Sequence, residues 1–324
     1  MVTRVSIALC TYNGKRHLRE QLDSFATQNR LPDEVLICDD GSTDDTESVV
    51  DAFRDTVQFP VHFHRNPVNL GFAHNFEKAA ALTTGDIVFF SDQDDVWRPT
   101  KLAAMLAAFT RDERVGLVFC DADLVDADLA PIGLRYWQKQ GFNSTLQNML
   151  ESNTGARVLL RDPAQMAAGA TMAYAARYHQ SIFPLPDGWT HDAWVATVVA
   201  AQSRVVLIRE PLNLYRQHVA QVYGASSTPA SRRQHAKARS GSSEHFAQTA
   251  RRYQALLDRL HDQPTLDPRF LDEVRAKITH WRNRGMMRQS NRIVRCAIIA
   301  GELLRGRYSR YAQGLRSAAM DCLY

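Results

Sequence analysis

The first third of the chain alternates short apolar runs with segments in which apolar residues recur three or four positions apart, and this alternation constrains the fold most. In residues 17–28, for example, Leu18, Leu22 and Phe25 fall on one side of a helix. Regular alternation of strand and helix predicts an α/β fold, with a mainly parallel central sheet and helices on both faces. The predicted strands are residues 4–11, 34–38, 61–64, 86–90 and 115–120, and the predicted helices are residues 17–28, 44–53, 72–82 and 99–109.

The polar residues that directly follow each predicted strand are the candidate site residues, because ligands of such sheets bind beyond the carboxyl ends of the strands. Asp92, Asp94 and Asp95 follow the apolar run at residues 87–90. Three carboxylates this close repel one another unless a cation binds them, and carboxylate oxygens suit Mg²⁺ or Mn²⁺. A rim of carboxylates also repels a bare phosphate. The pattern therefore predicts a nucleotide that is bound through a divalent metal.

These polar segments also have ordinary structural interpretations. The Asp-Asp-Gly-Ser turn after the second strand can simply cap the next helix, with Ser42 or Thr43 as the N-cap. The acidic cluster at residues 92–95 can be a loop that caps the following helix. Asp121 and Asp123, which follow the fifth predicted strand, are expected in a solvated loop.

Several classes of protein are disfavoured by what the sequence lacks. It contains neither a GxGxxG after the first strand nor a GxxxxGK[ST] motif, which argues against a dinucleotide dehydrogenase and a P-loop NTPase. It has no apolar run of about 18 residues that would predict a membrane-spanning helix. Residues 1–9 do not resemble a signal peptide, and the five cysteines form no CxxC motif. We therefore expect reduced thiols and a cytoplasmic location.

Charge divides the chain into an acidic body and a basic tail. Residues 225–324 carry a net charge of +11, whereas the remaining residues carry −7. A mobile linker is predicted over residues 226–243, followed by helices at 244–260, 271–285 and 291–304. The last predicted helix is apolar on one side, and arginines flank it. It can lie on the inner face of the plasma membrane, or the tail can pack on the catalytic domain or on a second subunit.

Six motifs in a fixed order resemble inverting glycosyltransferases of family 2, which have the GT-A fold. SDQDDVW and YRQH are most like the bacterial branch of rhamnosyltransferases that build cell-surface polysaccharides. After YRQH the chain departs from that branch and reads Val219-Ala220-Gln221. The matching segments are SIALCTYNG at 6–14, VLICDDGSTDDT at 35–46, NLGFAHNFEKA at 69–79, FFSDQDDVWRPTKL at 89–102, HDAW at 191–194 and LYRQHVAQVYG at 214–224.

The resemblance implies a GT-A catalytic domain over residues 1–224 and a linker with a basic helical region over residues 225–324. The nucleotide-sugar half would span about residues 1–120 and the acceptor half about 121–224. Asp192 would be the general base, which an acceptor hydroxyl needs because its pKa lies far above 7. The implied donor-binding residues are Thr11, Tyr12, Asn13, Asp40, Asn69, Gly71, Asn75 and Asp92; the metal ligands are Asp92, Asp94 and His218; and the acceptor or sugar residues are Asp95, Trp97, Thr171, His191 and Trp194.

Alternatives remain open for the later residues. His191 and Asp192 can merely cap a helix, and Trp97 and Trp194 can belong to the core or to a pocket wall. The activity that the resemblance implies is metal-dependent transfer of L-rhamnose from dTDP-rhamnose to a glycan or lipid-linked glycan, with Mg²⁺ or Mn²⁺ as cofactor. The alternatives are another hexosyltransferase that uses a UDP-sugar, a scaffold, and a nucleic-acid-binding protein, although specific nucleic-acid binding is not expected. Oligomerisation through the C-terminal helices also remains open.

Overall fold

The computed structural model describes residues 3–152, 155–161, 166, 168–218, 243–263 and 266–323. Its strands join one sheet in the order β3-β2-β1-β4-β8-β6-β9-β5, with β7 paired to the far half of β6. The pairs among β1, β2, β3 and β4 are parallel, as is β6 with β9. The strands are β1 Val5–Thr11, β2 Glu34–Asp39, β3 Val61–Arg65, β4 Ile87–Ser91, β5 Val96–Trp97, β6 Val115–Val125, β7 Pro131–Arg135, β8 Met172–Ala175 and β9 Arg204–Arg216.

Helices cover both faces of this sheet, as the alternating pattern predicts. Every residue of β1, β2 and β4 is buried, which is expected of parallel strands with a helical layer on each side. Apolar residues of α1, α2 and α4 pack on one face, and those of α3 and α9 pack on the other. The helices before the C-terminal region are α1 Leu18–Ala26, α2 Thr46–Arg54, α3 Phe72–Ala81, α4 Lys101–Arg111, α5 Tyr136–Gln140, α6 Ser144–Leu150, α7 Ala156–Leu159, α8 His179–Ile182 and α9 His191–Gln202.

Two local predictions are wrong. Strand β6 does not end at Cys120 but continues to Val125, because β9 and β7 pair with its far half. Asp121 and Asp123 therefore lie within a strand and not in a solvated loop; Asp121 is buried and accepts the backbone N–H of Trp137. The second error concerns α2, whose N-cap is Asp45, because the side chain of Ser42 bonds to Asp39 instead.

The first two C-terminal helices, α10 (Ser243–Leu260) and α11 (Pro268–Met287), pack on the preceding α/β part of the chain. Tyr253, Leu256 and Val274 belong to the same apolar cluster as Trp194. Arg259 donates to the carbonyls of Ser181 and Ile182 at 3.0 and 2.8 Å. These two helices are thus part of the main core. The predicted linker lies outside the described residues, apart from Ser243, which begins α10.

Three further helices, α12 (Arg292–Leu304), α13 (Arg307–Tyr311) and α14 (Leu315–Leu323), form a smaller unit on α11. A buried ion pair joins Arg284 of α11 to Asp321 of α14, with nitrogen–oxygen distances of 2.7 and 3.1 Å. The hydroxyl of Tyr308 also donates to Asp321 at 2.8 Å. No helix within the described ranges has both the length and the apolar character needed to cross a lipid bilayer.

The ion pair gives a stability prediction. Asp321→Asn leaves Arg284 buried without its counter-charge, and removing one partner of a buried pair typically costs about 3–5 kcal/mol. We expect faster hydrogen exchange in α12–α14 and a lower urea midpoint. Asp262→Asn makes the same chemical change on a side chain that is 86% exposed and is the matched control. Equal behaviour of the two variants would show that the pair does not hold α14 in place.

Candidate active site

The loops that follow β1, β2 and β4 meet at one edge of the sheet. The backbone N–H of Tyr12 donates to Oε1 of Gln93 at 2.8 Å, and Nε2 of Gln93 donates to the carbonyl of Tyr12 at 3.1 Å. The N–H of Asn13 donates to Oγ of Ser42 at 2.8 Å, and Oδ1 of Asn13 accepts the N–H of Thr43. The structure thus brings the predicted donor residues Tyr12 and Asn13 together with the loop that holds the acidic cluster. The side chain of Tyr12 is half exposed there.

Several predicted donor residues hold the protein's own loops in place. Asp40 is buried, and its carboxylate accepts the backbone N–H groups of Leu70 at 2.7 Å and Gly71 at 2.9 Å. Asn69 donates from its side chain to the carbonyl of Asp40 at 2.9 Å. The loop after β3 therefore folds back onto the end of β2, because its backbone donors need acceptors. Asp40 is buried by these contacts whereas Asn69 is exposed, and donor binding by these two residues stays a prediction.

Thr11 and Asn75 make similar contacts within the protein, and donor binding by these two residues stays a prediction. Both are buried. Oγ1 of Thr11 donates to Asp39 at 2.8 Å, and Nδ2 of Asn75 donates to the carbonyl of Cys38 at 2.8 Å. Gly71, which precedes α3, has a φ of +77°, a conformation that glycine adopts at no steric cost. These residues shape the edge of the cleft from within the protein.

Asp92, Asp94 and His218 form the partly accessible acidic cluster. Oδ2 of Asp94 lies 2.7 Å from Nε2 of His218, and both side chains are 14% exposed. The pKa of Asp92 is raised well above its ordinary value by burial and by the charges of Asp95, Asp94 and Asp192. Asp192, from α9, is therefore close enough to act electrostatically on the cluster. Within the described residues, no three His, Cys, Asp or Glu side chains converge to form a closed metal site.

Asp95 belongs to the support of the cluster and not to its open surface. It is 1% exposed, and it accepts Nδ2 of Asn213 at 2.8 Å and the backbone N–H of Arg216 at 3.0 Å. Burial and the charge of Asp94 raise the pKa of Asp95 to about 7. Residues of β9 thus bind both carboxylate oxygens of Asp95, and contact of Asp95 with the sugar or acceptor stays a prediction.

Two cations that sequence reasoning did not assign also support the cluster. The guanidinium of Arg216 donates to the carbonyl of Asp94 at 2.6 Å and also bonds to Glu20. Lys101 is fully buried; its Nζ donates to the carbonyl of Ala170 at 2.6 Å and lies 3.8 Å from the ring centre of Trp97. Arg216 lies in the YRQH motif, and Lys101 follows the SDQDDVW motif by four residues. Their positions beside these motifs were the sequence feature that could have identified them.

Asp192 lies in the first turn of α9. Thr190 is the N-cap of this helix, and one carboxylate oxygen of Asp192 accepts the hydroxyl of Thr190 and the N–H of Ala193. The side chain is partly exposed. A carboxylate in the first turn is also favoured by the helix dipole. Asp192 therefore has a fixed position with part of its carboxylate accessible.

The side chain of His191 points into the core. It stacks on Phe76 with ring centres 3.8 Å apart, and neither ring nitrogen has a hydrogen-bond partner among the described residues. Burial lowers the pKa of His191 to about 4, so the ring is neutral at pH 7. Contact of His191 with the acceptor or the sugar stays a prediction.

Trp97, Thr171 and Trp194, the other predicted acceptor or sugar residues, are all buried, and their contact with a substrate stays a prediction. Trp97 packs edge-on against Phe25 with ring centres 4.7 Å apart. Nε1 of Trp194 donates to the carbonyl of Ile182 at 2.7 Å, and Oγ1 of Thr171 donates to the carbonyl of Ala168 at 2.9 Å. The two tryptophans thus belong to the core, which is the alternative that the sequence left open.

Comparison with known sequences identifies a domain. Residues 6–166 match the family described as Glycosyl transferase family 2. Abequosyltransferase RfbV of Salmonella typhimurium is 34% identical over 130 residues, which cover 40% of this chain and 38% of that protein. An uncharacterized glycosyltransferase of Nostoc, alr2836, is 26% identical over 244 residues, or 74% of this chain and 72% of that protein. The match to the Salmonella relative thus spans well under half of its length.

Solved structures with the same fold extend over nearly the whole chain. Staphylococcus aureus TarS 1–349 in complex with UDP-GlcNAc has a TM-score of 0.63 at 15% identity, covering 98% of this chain and 89% of that chain. Mannosyltransferase PcManGT from Pyrobaculum calidifontis, in complex with GDP-Man and Mn²⁺, has a TM-score of 0.54 at 20% identity, covering 100% and 88%. At these identities the likeness concerns the fold, which is the predicted GT-A fold with a helical C-terminal region.

The Asp40 contacts give a prediction about the edge of the cleft. Asp40→Asn places an amide where loop N–H groups need an acceptor, and hydrogen bonds to charged groups are worth about 1.5–3 kcal/mol each. We expect the variant to be less stable to urea, with faster exchange of the Leu70 and Gly71 amides. Asp55→Asn, which makes the same change on an exposed carboxylate at the end of α2, is the control. Unchanged exchange at both amides would mean that Asp40 does not hold this loop.

Proposed function

We propose that this chain, a glycosyltransferase with a family 2 domain over residues 6–166, transfers a sugar from a nucleoside diphosphate to an acceptor hydroxyl with inversion at the anomeric carbon. The observation that carries the proposal is the acidic cluster at the ends of the strands. Asp94 and His218 are in contact there, and Asp192 on α9 acts electrostatically on Asp92. The proximity of Asp192 to this cluster supports a donor site with a candidate base beside it.

The residues of the cluster fit a divalent cation that is shared with a substrate. Mg²⁺ is usually held by one or two carboxylates together with substrate phosphates, so a closed set of three protein ligands is not required. Asp92, Asp94 and His218 would hold it, and a cation would offset the repulsion that raises the pKa of Asp92. When bound, it would stabilise the negative charge that develops on the leaving diphosphate. The Mn²⁺ and GDP-Man of the Pyrobaculum mannosyltransferase support this assignment.

Asp192 would act as the general base. The acceptor oxygen forms a bond to the anomeric carbon while the bond from that carbon to the diphosphate oxygen breaks. The proton of the acceptor hydroxyl passes to the carboxylate of Asp192. Thr190 and the N–H of Ala193 bond to one carboxylate oxygen and so orient the group. Attack on the side opposite the leaving group inverts the anomeric centre, and no covalent enzyme intermediate is needed.

The donor that we propose is dTDP-L-rhamnose, and the acceptor is a glycan or a lipid-linked glycan. The motifs SDQDDVW and YRQH support rhamnose by their resemblance to rhamnosyltransferases. The Salmonella relative, an abequosyltransferase by name, supports transfer of a sugar, and the acceptor rests on the same resemblance of the motifs. A UDP-sugar is the alternative donor, which the UDP-GlcNAc complex of TarS supports.

If Asp192 is the general base, its loss should slow sugar transfer without weakening donor binding. Asp192→Asn removes the proton acceptor, and a positioned base contributes about 10²–10⁴-fold to the rate. We expect the transfer rate to fall by about that factor while the donor dissociation constant in the presence of metal stays nearly the same. Asp187→Asn changes a fully exposed carboxylate on the preceding loop and is the control. An equal loss of donor affinity would refute the role of Asp192 as base.

The metal assignment predicts that donor binding requires a divalent ion. A ligand at one hundred times its dissociation constant stabilises the folded state by about 2.7 kcal/mol, so thermal unfolding can rank dTDP-, UDP- and GDP-sugars with Mg²⁺ or Mn²⁺. We expect EDTA to abolish the shift given by the preferred donor. Asp94→Asn should raise the metal concentration required by at least about tenfold, while the exposed Asp55→Asn should not. A full donor shift in EDTA would rule out a metal-dependent donor site.

A further inference from the structure

The outward surface of α12 and α14 is apolar, although it faces solvent. Ile293 and Leu304 of α12 are 83% and 90% exposed, and Leu315 and Leu323 of α14 are 77% and 80% exposed. The exposed residues of α12 between Ile293 and Leu304 are small or apolar as well, and α14 exposes Ala319, Met320 and Cys322 besides Arg316. We name this surface the C-terminal apolar face; it comprises Ile293, Cys296, Ala297, Ala300 and Leu304 of α12 and Leu315, Ala319, Met320, Cys322 and Leu323 of α14.

These side chains are not exposed because α12 lacks a core to pack against. The opposite side of α12 is already buried, with Ile299 packed against Tyr308, Ala318 and Met287. Helix α12 is thus apolar on its inner side and on its outer side. A helix on the surface of a water-soluble domain normally presents polar residues to solvent. An exposed apolar face of this kind marks a contact surface.

The charged side chains that residues 288–323 expose to solvent are all arginines. From residue 288 to residue 323 the sequence contains seven arginines and two carboxylates. Both carboxylates, Glu302 and Asp321, are buried: Glu302 accepts from Asn283 and Arg307, and Asp321 accepts from Arg284. The charge that this unit presents to solvent is therefore cationic, and it comes from arginines such as Arg292, Arg305 and Arg316, which are exposed.

We propose that the C-terminal apolar face docks on an anionic lipid bilayer and lies within its interfacial layer. Apolar side chains would enter the boundary between headgroups and acyl chains, while the surrounding arginines would contact anionic headgroups. A symmetric pairing of two copies would place the same cationic surface against itself, which disfavours a second copy as the occupant. The inference depends on this surface and not on the sugar-transfer chemistry.

Vesicle binding tests the proposal on the full chain without any sugar donor. We expect co-sedimentation with vesicles of phosphatidylcholine and phosphatidylglycerol in equal parts, and little with phosphatidylcholine alone. Ile293→Asp combined with Leu304→Asp should weaken binding by at least about tenfold, because two exposed apolar anchors are lost. Leu31→Asp changes an exposed leucine in the catalytic domain and should leave binding unchanged.

The electrostatic part has its own variants. Arg292→Glu combined with Arg316→Glu should weaken binding by about 25-fold or more, since each basic residue near an anionic leaflet contributes about fivefold. Arg19→Glu combined with Arg111→Glu gives the same change of net charge on exposed arginines of the catalytic domain and serves as the control. All four substituted arginines are exposed, so the variants are expected to fold.

Two native cysteines report insertion directly. Cys296 and Cys322 lie in the C-terminal apolar face and are exposed, whereas Cys10, Cys38 and Cys120 are buried. An environment-sensitive fluorophore on Cys296 of the Cys322→Ser variant should shift to shorter wavelength with the anionic vesicles. Absence of binding or of this shift would overturn the proposal. A dimer in sedimentation equilibrium that Ile293→Asp dissociates, without vesicle binding, would overturn it in favour of a second copy.

Discussion

The mutual repulsion of the carboxylates that follow β4 is the constraint on which the site depends. Asp92, Asp94 and Asp95 stand within four residues, and burial adds to the cost of charging them. Two groups offset this cost. Lys101 is a buried positive charge, and the backbone N–H of Arg216 in β9 donates a hydrogen bond to Asp95. Both carboxylate oxygens of Asp95 already accept hydrogen bonds from β9. The partly accessible side chains of the cluster are Asp92, Asp94 and His218. These are the groups that we propose to bind a cation and, through it, a diphosphate.

Hydrogen bonds to neighbouring backbone groups also explain why several residues predicted to bind the donor are buried. A short loop that passes a strand end exposes backbone donors, and the nearest carboxylates and amides satisfy them. Asp40 does so for the loop after β3, and Asn75 for the end of β2. The motif residues that resemble family 2 enzymes therefore divide into those that build the edge and those that are open at it. Tyr12, Asn13, Asp94, His218 and Asp192 belong to the second group.

The sequence predicted the parts of this arrangement that depend on local periodicity. Apolar runs and helical spacing were sufficient for the parallel half of the sheet and for the segments that follow its strands. They were not sufficient for contacts between distant residues: Asn213 reaches Asp95 across 118 positions, and β9 extends β6 beyond Cys120. Burial of Trp97 and Trp194 depends in the same way on partners far along the chain. An aromatic residue beside a polar motif looks the same in a sequence whether it lines a cleft or fills the core behind it.

The C-terminal helices connect to the candidate base through that core. Helix α9, which carries Asp192 in its first turn, is held at Trp194 by the carbonyl of Ile182, and Arg259 of α10 donates to the same carbonyl. Just before α9, Nε1 of Trp189 donates to the carbonyl of Arg252 at 3.0 Å. Helix α10 thus fixes both the approach to α9 and its first turns. Because α11 packs along α10, and α12–α14 pack on α11, one continuous set of packed helices joins the C-terminal apolar face to the helix that holds Asp192.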